Sequence, residues 1–450
     1  MGMHEPTQGI AMYRYIIEDQ RHVPPFNEPA SQLTIGTEPL KIHHENIVAQ
    51  VFGPQVTLGP TLRSREELDQ VIGEAVVYRD SLWFDREFLD YFVQEARRTG
   101  KACRAAFPAS DKAFHTYTVP LTKGFEVALD PATRSIMFLC DLWYFPDGYT
   151  SEIEPVVVPS DAREIGFYTV PDFMTMKQGD LTHFAPMRAV ISIESWVHVY
   201  FASIIFSNFA RAARLDKLIA NSVFAKLRLL WHAIVEQKQL LAASGAVKIG
   251  RNCDIDPSAV IRGPATIGDN CAIGAGVILD NVTIGDNVTI DAGCTLMMSS
   301  VANNCFLPFR ASLYLTQVME NTIIAQNTCL QMCVIGRNSF VGAGCTFTDF
   351  NLIAQKPMRA ANIDGELQSV GQIVLGSAVG HNCRIGSGMV VFPGRMIESD
   401  VVLVAGHQRR VITRSVSYEE SDHHIIKFGD VHKRFYPRRD ENEFELTEDW

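Results

Sequence analysis

Ile249-Gly250-Arg251-Asn252-Cys253-Asp254-Ile255-Asp256 opens a run in which an aliphatic residue returns every six positions, usually followed by Gly or Asp. Ile261, Ile267-Gly268 and Ile273-Gly274 continue it. The beat slips by one residue and resumes at Ile278, Ile284-Gly285, Ile290-Asp291 and Leu296. It returns at Ile335-Gly336, Val341-Gly342 and Phe347, then at Val379-Gly380, Ile385-Gly386, Val391 and Ile397. A period of six fits neither an α-helix nor an alternating strand, and predicts a parallel β-helix in which each step is one short strand plus a corner. The aliphatic residue lines the prism and a small residue four places later fills the inner corner. Gly, Asp or Asn takes the turn, where positive φ is cheap.

Eight of the ten cysteines fall in this region. Cys253, Cys271, Cys294, Cys345 and Cys383 each stand four places after a repeat aliphatic, in the small inner slot, and read as buried hydrophobes. Cys329 and Cys333 have no matching Cys or His pair, which argues against a zinc site. Free core thiols in this number point to a reducing compartment.

A chain of 450 residues is expected to hold two or three domains. Its 47% hydrophobic and 20% charged content is that of a soluble globular protein, and a net charge of −11 argues against nucleic acid as the main partner. No basic segment followed by an apolar one opens the chain, so no secretory signal is expected. The uncharged stretch from Trp196 to Ala210 is too short to cross a bilayer. The expectation is a cytoplasmic protein with neither a membrane nor a nucleic-acid partner.

Residues 1–185 interleave strand-like runs (Ala75 to Tyr78, Ser135 to Cys140) with an amphipathic helix from Phe84 to Arg98, which predicts an α/β domain. Residues 186–245 form a helical linker. Leu215, Leu218, Ile219, Leu227, Leu230 and Ile234 recur at helical spacing opposite Lys217, Lys226, Arg228 and Glu236, as in a packed helix stopped by Gly245. The β-helix fills 246–412. Within it, 302–322 keep the period poorly and 348–372 drop it, predicting a projecting loop that carries binding. Residues 413–450 are a charged tail, with a poorly ordered acidic end from Asp440 to Trp450.

An α/β domain, a helix and a hexapeptide β-helix, in that order, resemble the bifunctional N-acetylglucosamine-1-phosphate uridyltransferase/acetyltransferase family. The local match is Val341-Gly342-Ala343-Gly344-Cys345-Thr346, then Asp364-Gly365-Glu366-Leu367, then Leu375-Gly376 to Pro393-Gly394. The resemblance implies a left-handed prism, a homotrimer and active sites shared between neighbouring prisms. It further implies acyl-CoA (acetyl-CoA) as donor and a sugar or nucleotide sugar as acceptor, with Mg²⁺ only where nucleotidyl transfer is retained. In the front domain Gly36-Thr37-Glu38-Pro39-Leu40-Lys41 resembles the segment that follows the family's phosphate loop, and Asp80 falls on its metal-binding aspartate. The loop itself reads Arg21-His22-Val23-Pro24-Pro25-Phe26-Asn27-Glu28-Pro29, and proline has no N–H with which to cradle phosphate. The front domain therefore reads as degenerate.

Gln326 stands where the family's acetyltransferases place a catalytic histidine, and an amide cannot take up a proton. His381, in Val379-Gly380-His381-Asn382-Cys383-Arg384-Ile385-Gly386, resembles a segment of the UDP-sugar acyltransferases of lipid A synthesis whose histidine is the base. Two places after an inward aliphatic, its imidazole is expected to project into the groove between prisms and deprotonate an acceptor. Arg310, in Leu307-Pro308-Phe309-Arg310, resembles an arginine that holds nucleotide-sugar phosphate. Asn382, Lys356 and Arg359 complete the expected binding set. Two functions follow: an acyltransferase using His381, or a trimeric scaffold without catalysis. Nucleotidyl transfer stands third.

Overall fold

The computed structural model describes residues 12–130, 133–168, 181–351, 356–407, 409–425 and 432–439. The expected acidic end at Asp440 to Trp450 lies outside them.

From Val247–Ile249 to Val411–Ile412 the chain winds as a left-handed parallel β-helix, its short strands stacked into three eight-stranded parallel sheets. Ile267, Ile273, Leu279, Ile284, Ile290, Leu296 and Val301 and their successors line one buried core. From Ile267 to Ile335 each coil thus takes steps of six, six and five, while the first coil and the one from Val379 to Ile397 take three sixes. This corrects two expectations. Leu279 is the lining residue, whereas Ile278 faces outward and is exposed, because the five-residue step falls after Leu279. Residues 302–322 are regular as well. Ile290 pairs with Leu307, Leu296 with Leu313 and Val301 with Val318, and only the five-residue step hides the beat.

The expected cysteine slots hold. Cys271, Cys294, Cys345 and Cys383 lie in the prism core together with Cys305 and Cys333. Cys253 is half-buried in the first coil, and Cys329 faces outward beside the inward Leu330. The inner thiols donate to carbonyls of the next coil, as Cys271 does to Gly285 and Cys383 to Glu398, both at 3.1 Å. Burial pushes the Cys271 thiol up to about 11 and that of Cys305 to about 12, so neither is a thiolate at neutral pH.

Three columns of left-handed residues make the three edges of the prism. One is Asn252, Asn270, Asn287, Asn304, Asn321, Asn338 and Asn382, whose side-chain amides bond along the edge (Asn287 to Asn304 at 3.2 Å, Asn304 to Asn321 at 3.1 Å). The second is Gly276, Gly293, Arg310, Asn327, Gly344 and Gly388. The third, Asn281, Met298, Leu315 and Met332, faces the front half of the chain.

That front half is a mixed sheet in the order Ile153–Val157, Ala102–Pro108, Ile136–Phe145, Ala75–Arg79, Met12–Ile17, Val56–Leu58, with Glu126–Leu129 added beside Ile136–Phe145. Ile136–Phe145 runs antiparallel to its neighbours, while Met12–Ile17 is parallel to both of its own. Helices α1 (Leu40–Phe52) and α2 (Arg86–Thr99) pack on the sheet around Phe88, Phe92, Phe107 and Phe114. Asp85 caps α2 by accepting the Phe88 N–H at 2.8 Å, and Gly100, at φ 66°, ends it.

Helix α3 (Trp196–Asn221) binds the two halves together. Its residues up to Ala210 are almost wholly buried, and Asn208 and Arg211 bond the outward Ser300, Thr283 and Asn281 of the first prism face. Helix α4 (Val223–Glu236) leaves it at 107° after Ser222. Only its inner side packs, through Leu229 and Ala233. The expectation of a packed linker is therefore corrected for α4: Leu227, Leu230 and Ile234 are exposed, as is Leu218 at the end of α3.

Among its described residues, 348–351 and 356–372, the 348–372 loop does not project. Its hairpin, Arg359–Ala361 with Leu367–Ser369, folds back on α3 and buries Ala360, Ala361, Ile363 and Val370 in the shared core. Ser195 Oγ donates to Ala361 O at 2.8 Å, and Lys123 pairs with Asp364 and with Glu366. Met358 is buried with them and Phe350 and Leu367 pack alongside, an apolar face that explains why the insert docks.

Candidate functional site

His381 sits on the asparagine edge, between the lining residue Val379 and Cys383. Its imidazole is fully buried, not open to a groove, which corrects the expectation drawn from its spacing. What covers it is the proline-rich loop of the front domain. Pro25 and Phe26 carbonyls accept from Ser399 Oγ at 3.0 and 3.1 Å, and Asn27 Nδ2 donates to Glu398 at 2.9 Å. The ring lies between Phe26 and Tyr436, with centroids 5.1 and 4.7 Å away.

The hydrogen bonds fix the tautomer. Nδ1 accepts the Arg337 backbone N–H at 2.9 Å, so Nε2 carries the proton and donates it to Glu28 Oε1 at 3.1 Å. Glu28 also holds the Arg337 guanidinium (2.9 Å to Oε2), which reaches Glu320 on its other side at 2.7 Å. Thr34 closes the chain by donating to Glu320 at 2.6 Å. Burial depresses the imidazole, and the Glu28 carboxylate opposes this only in part, so His381 stays below the usual histidine range. Burial alone would raise Glu28, but the hydrogen bond from His381 and the charge of Arg337 hold its carboxyl below the ordinary value. The cluster is a neutral histidine bonded at both nitrogens beside a satisfied ion pair. It locks front domain to prism.

Of the remaining expected residues only Asn382 shares this edge, and the others lie elsewhere. Asn382 is buried and bonds Asp400 at 2.7 Å, which turns it away from any acceptor. Arg310 is an exposed member of the glycine edge at φ 61°, and Gln326 stands half-buried on that same edge one coil on. Lys356 and Arg359 belong to the docked arm, where Arg359 donates to the Leu367 carbonyl at 2.7 Å. The structure brings none of these to His381. Glu28, Arg337, Ser399 and Tyr436, which do meet it, escaped sequence reasoning. Of these only Arg337 carried a signal, following Ile335-Gly336 in the repeat.

Asp80 ends the strand Ala75–Arg79, beside the carboxyl end of Met12–Ile17, where the parallel order reverses and such sheets bind ligands. Its carboxylate accepts the Asp19 N–H at 2.8 Å, and burial raises it to about 6. Asp19 is gripped by Arg21 at 2.7 Å and by Ser81 Oγ at 3.0 Å. Among the described residues no three His, Cys, Asp or Glu side chains gather as a metal would require. Arg21 already supplies the cation beside Asp19, so the donor set does not fit Mg²⁺.

Residues 246–281 match the family described as "Bacterial transferase hexapeptide (six repeats)". No curated protein matches the chain. Two solved structures are similar. UDP-N-acetylglucosamine acyltransferase from Campylobacter jejuni is 17% identical over 36% of this chain and 62% of its own, with a TM-score of 0.23. UDP-N-acetylglucosamine O-acyltransferase from Moraxella catarrhalis RH4 is 13% identical over 36% of this chain and 70% of its own, with a TM-score of 0.25. The chain thus spans less than two thirds of the Campylobacter protein.

Proposed function

We propose that the chain is a non-catalytic trimeric scaffold, built on a transferase-type hexapeptide prism with the front domain locked to it as one block. One observation carries this reading. His381 is the only histidine between Lys248 and Ile397, and with both nitrogens bonded it has no lone pair for an acceptor proton. Freeing it means undoing the Glu28, Asn27 and Ser399 contacts together and exposing Phe26. A homotrimer suits the second prism face, where Phe306, Ile323 and Phe340 stack outward in an exposed apolar ladder.

Acyl transfer from acyl-CoA or another thioester to a sugar or nucleotide sugar is the second reading. The run of transferase hexapeptides over 246–281 favours it, and it requires the loop to lift and the Arg337 N–H to leave Nδ1, the nitrogen whose lone pair would take the acceptor proton.

The test is thiol release from acetyl-CoA by the purified chain with amino- and hydroxy-sugar acceptors, alongside light scattering for mass. The scaffold predicts a trimer without turnover, and Glu28→Ala adds none. Turnover that His381→Ala abolishes while the trimer survives would hand the function to the acyltransferase.

A further inference from the structure

We infer that helix α4 lies on an anionic lipid surface. Val223, Leu227, Leu230 and Ile234 form one stripe of the helix, widened by Phe224, Trp231 and Val235, and all seven are exposed; Phe224 is 77% exposed and Trp231 66%. Leu218, Leu240 and Leu241 extend the patch at both ends. So much contiguous apolar surface on a folded domain marks a contact site. Among the described residues no single helix is long and apolar enough to cross a membrane, and α3 is sunk in protein, so the helix would lie in the interface, not span it.

Charge selects the occupant. Lys226 borders the stripe on one side and Arg228 on the other, with exposed Lys217 and Lys238 at the ends. Against these stand Asp216 and Glu236, and Glu236 is taken by the Ser244 N–H at 3.0 Å and by its hydroxyl. A basic collar around an apolar stripe bearing Trp and Phe, on a chain of net charge −11, is what anionic headgroups attract and bulk charge would otherwise repel. The stripe's four-three-four spacing would also accept a second copy of the helix. Such pairing would set Lys226 and Arg228 of two copies together with no free carboxylate between them. The inference concerns α4 alone and holds whether or not His381 is catalytic.

Full-length protein is floated with vesicles of phosphatidylcholine plus phosphatidylglycerol, and with phosphatidylcholine alone. Expected is flotation with the first, weakened by salt, and none with the second. Lys226→Gln with Arg228→Gln lowers partitioning about thirtyfold, at the usual contribution of a basic residue near such a surface. Leu227→Asp with Leu230→Asp abolishes it without shifting the melting temperature, since both side chains are exposed. Trp83, Trp143 and Trp196 are buried, so a blue shift on binding that vanishes in Trp231→Phe and persists in Trp450→Phe comes from Trp231. No flotation, or equal flotation with both vesicles, overturns the proposal. So does an oligomer that Leu227→Asp dissolves in a protein that ignores vesicles, which would assign the stripe to a second copy.

Discussion

Helices α3 and α4 are consecutive, share a wealth of Leu, Ile, Phe and Trp, and meet opposite fates. Trp196 in the first is wholly buried between sheet and prism, while Trp231 in the second is largely exposed. The difference teaches that periodicity reports which side of a helix is apolar, not what covers it. Up to Ala210 α3 has no free side, because prism, front sheet and docked arm close round it. α4 has only the short stretch from Leu240 to Val247 beneath it.

The contrast can be broken by experiment. Trp196→Ala is expected to cost about 3–5 kcal/mol in denaturant melts, as truncating a buried indole does, whereas Trp231→Ala stays within about 0.5 kcal/mol. Equal losses would mean that α4 is covered in the free protein.

A polar version sets the sealed Glu28 against the exposed Asp364, each an ion-pair partner between front domain and prism or arm. Glu28→Ala should cost about 3 kcal/mol, the low end for breaking a buried pair because Arg337 keeps Glu320. Asp364→Ala should leave the melting curve where it was.

The smallest effect sharpens the comparison through pH. Asp80 titrates near 6 when folded against 3.8 when free, so its contribution is fullest below pH 4 and is lost as pH rises through 6. Asp80→Asn keeps the bond from the Asp19 N–H and should gain about 2 kcal/mol over wild type at pH 7 and nothing at pH 4. A gain independent of pH would remove the titration argument.

Legibility in the sequence followed the range of the interactions. The prism was readable because its lining repeats locally, down to Cys271 and Cys383 in the small slots, and α2 was readable from its amphipathic run between Phe84 and Arg98. The five-residue step misled at Ile278 because Ile and Leu stand side by side there and either could line the core. The site failed for another reason. His381 and Glu28 are 353 residues apart, and nothing near either residue announces the other. The proline-rich loop was seen to have lost a phosphate cradle, but its gain, a plug over the prism edge, exists only in three dimensions.

The third edge carries a last consequence. Coils before and after the docked arm stay in register, Val334 pairing with Ala378 and Ile335 with Val379, although the arm intervenes. Thr348 to Leu375 is therefore a cassette. Changes in its length leave the facing of every later coil untouched, just as the loss of one residue after Leu279 leaves Ile284 and its successors pointing inward.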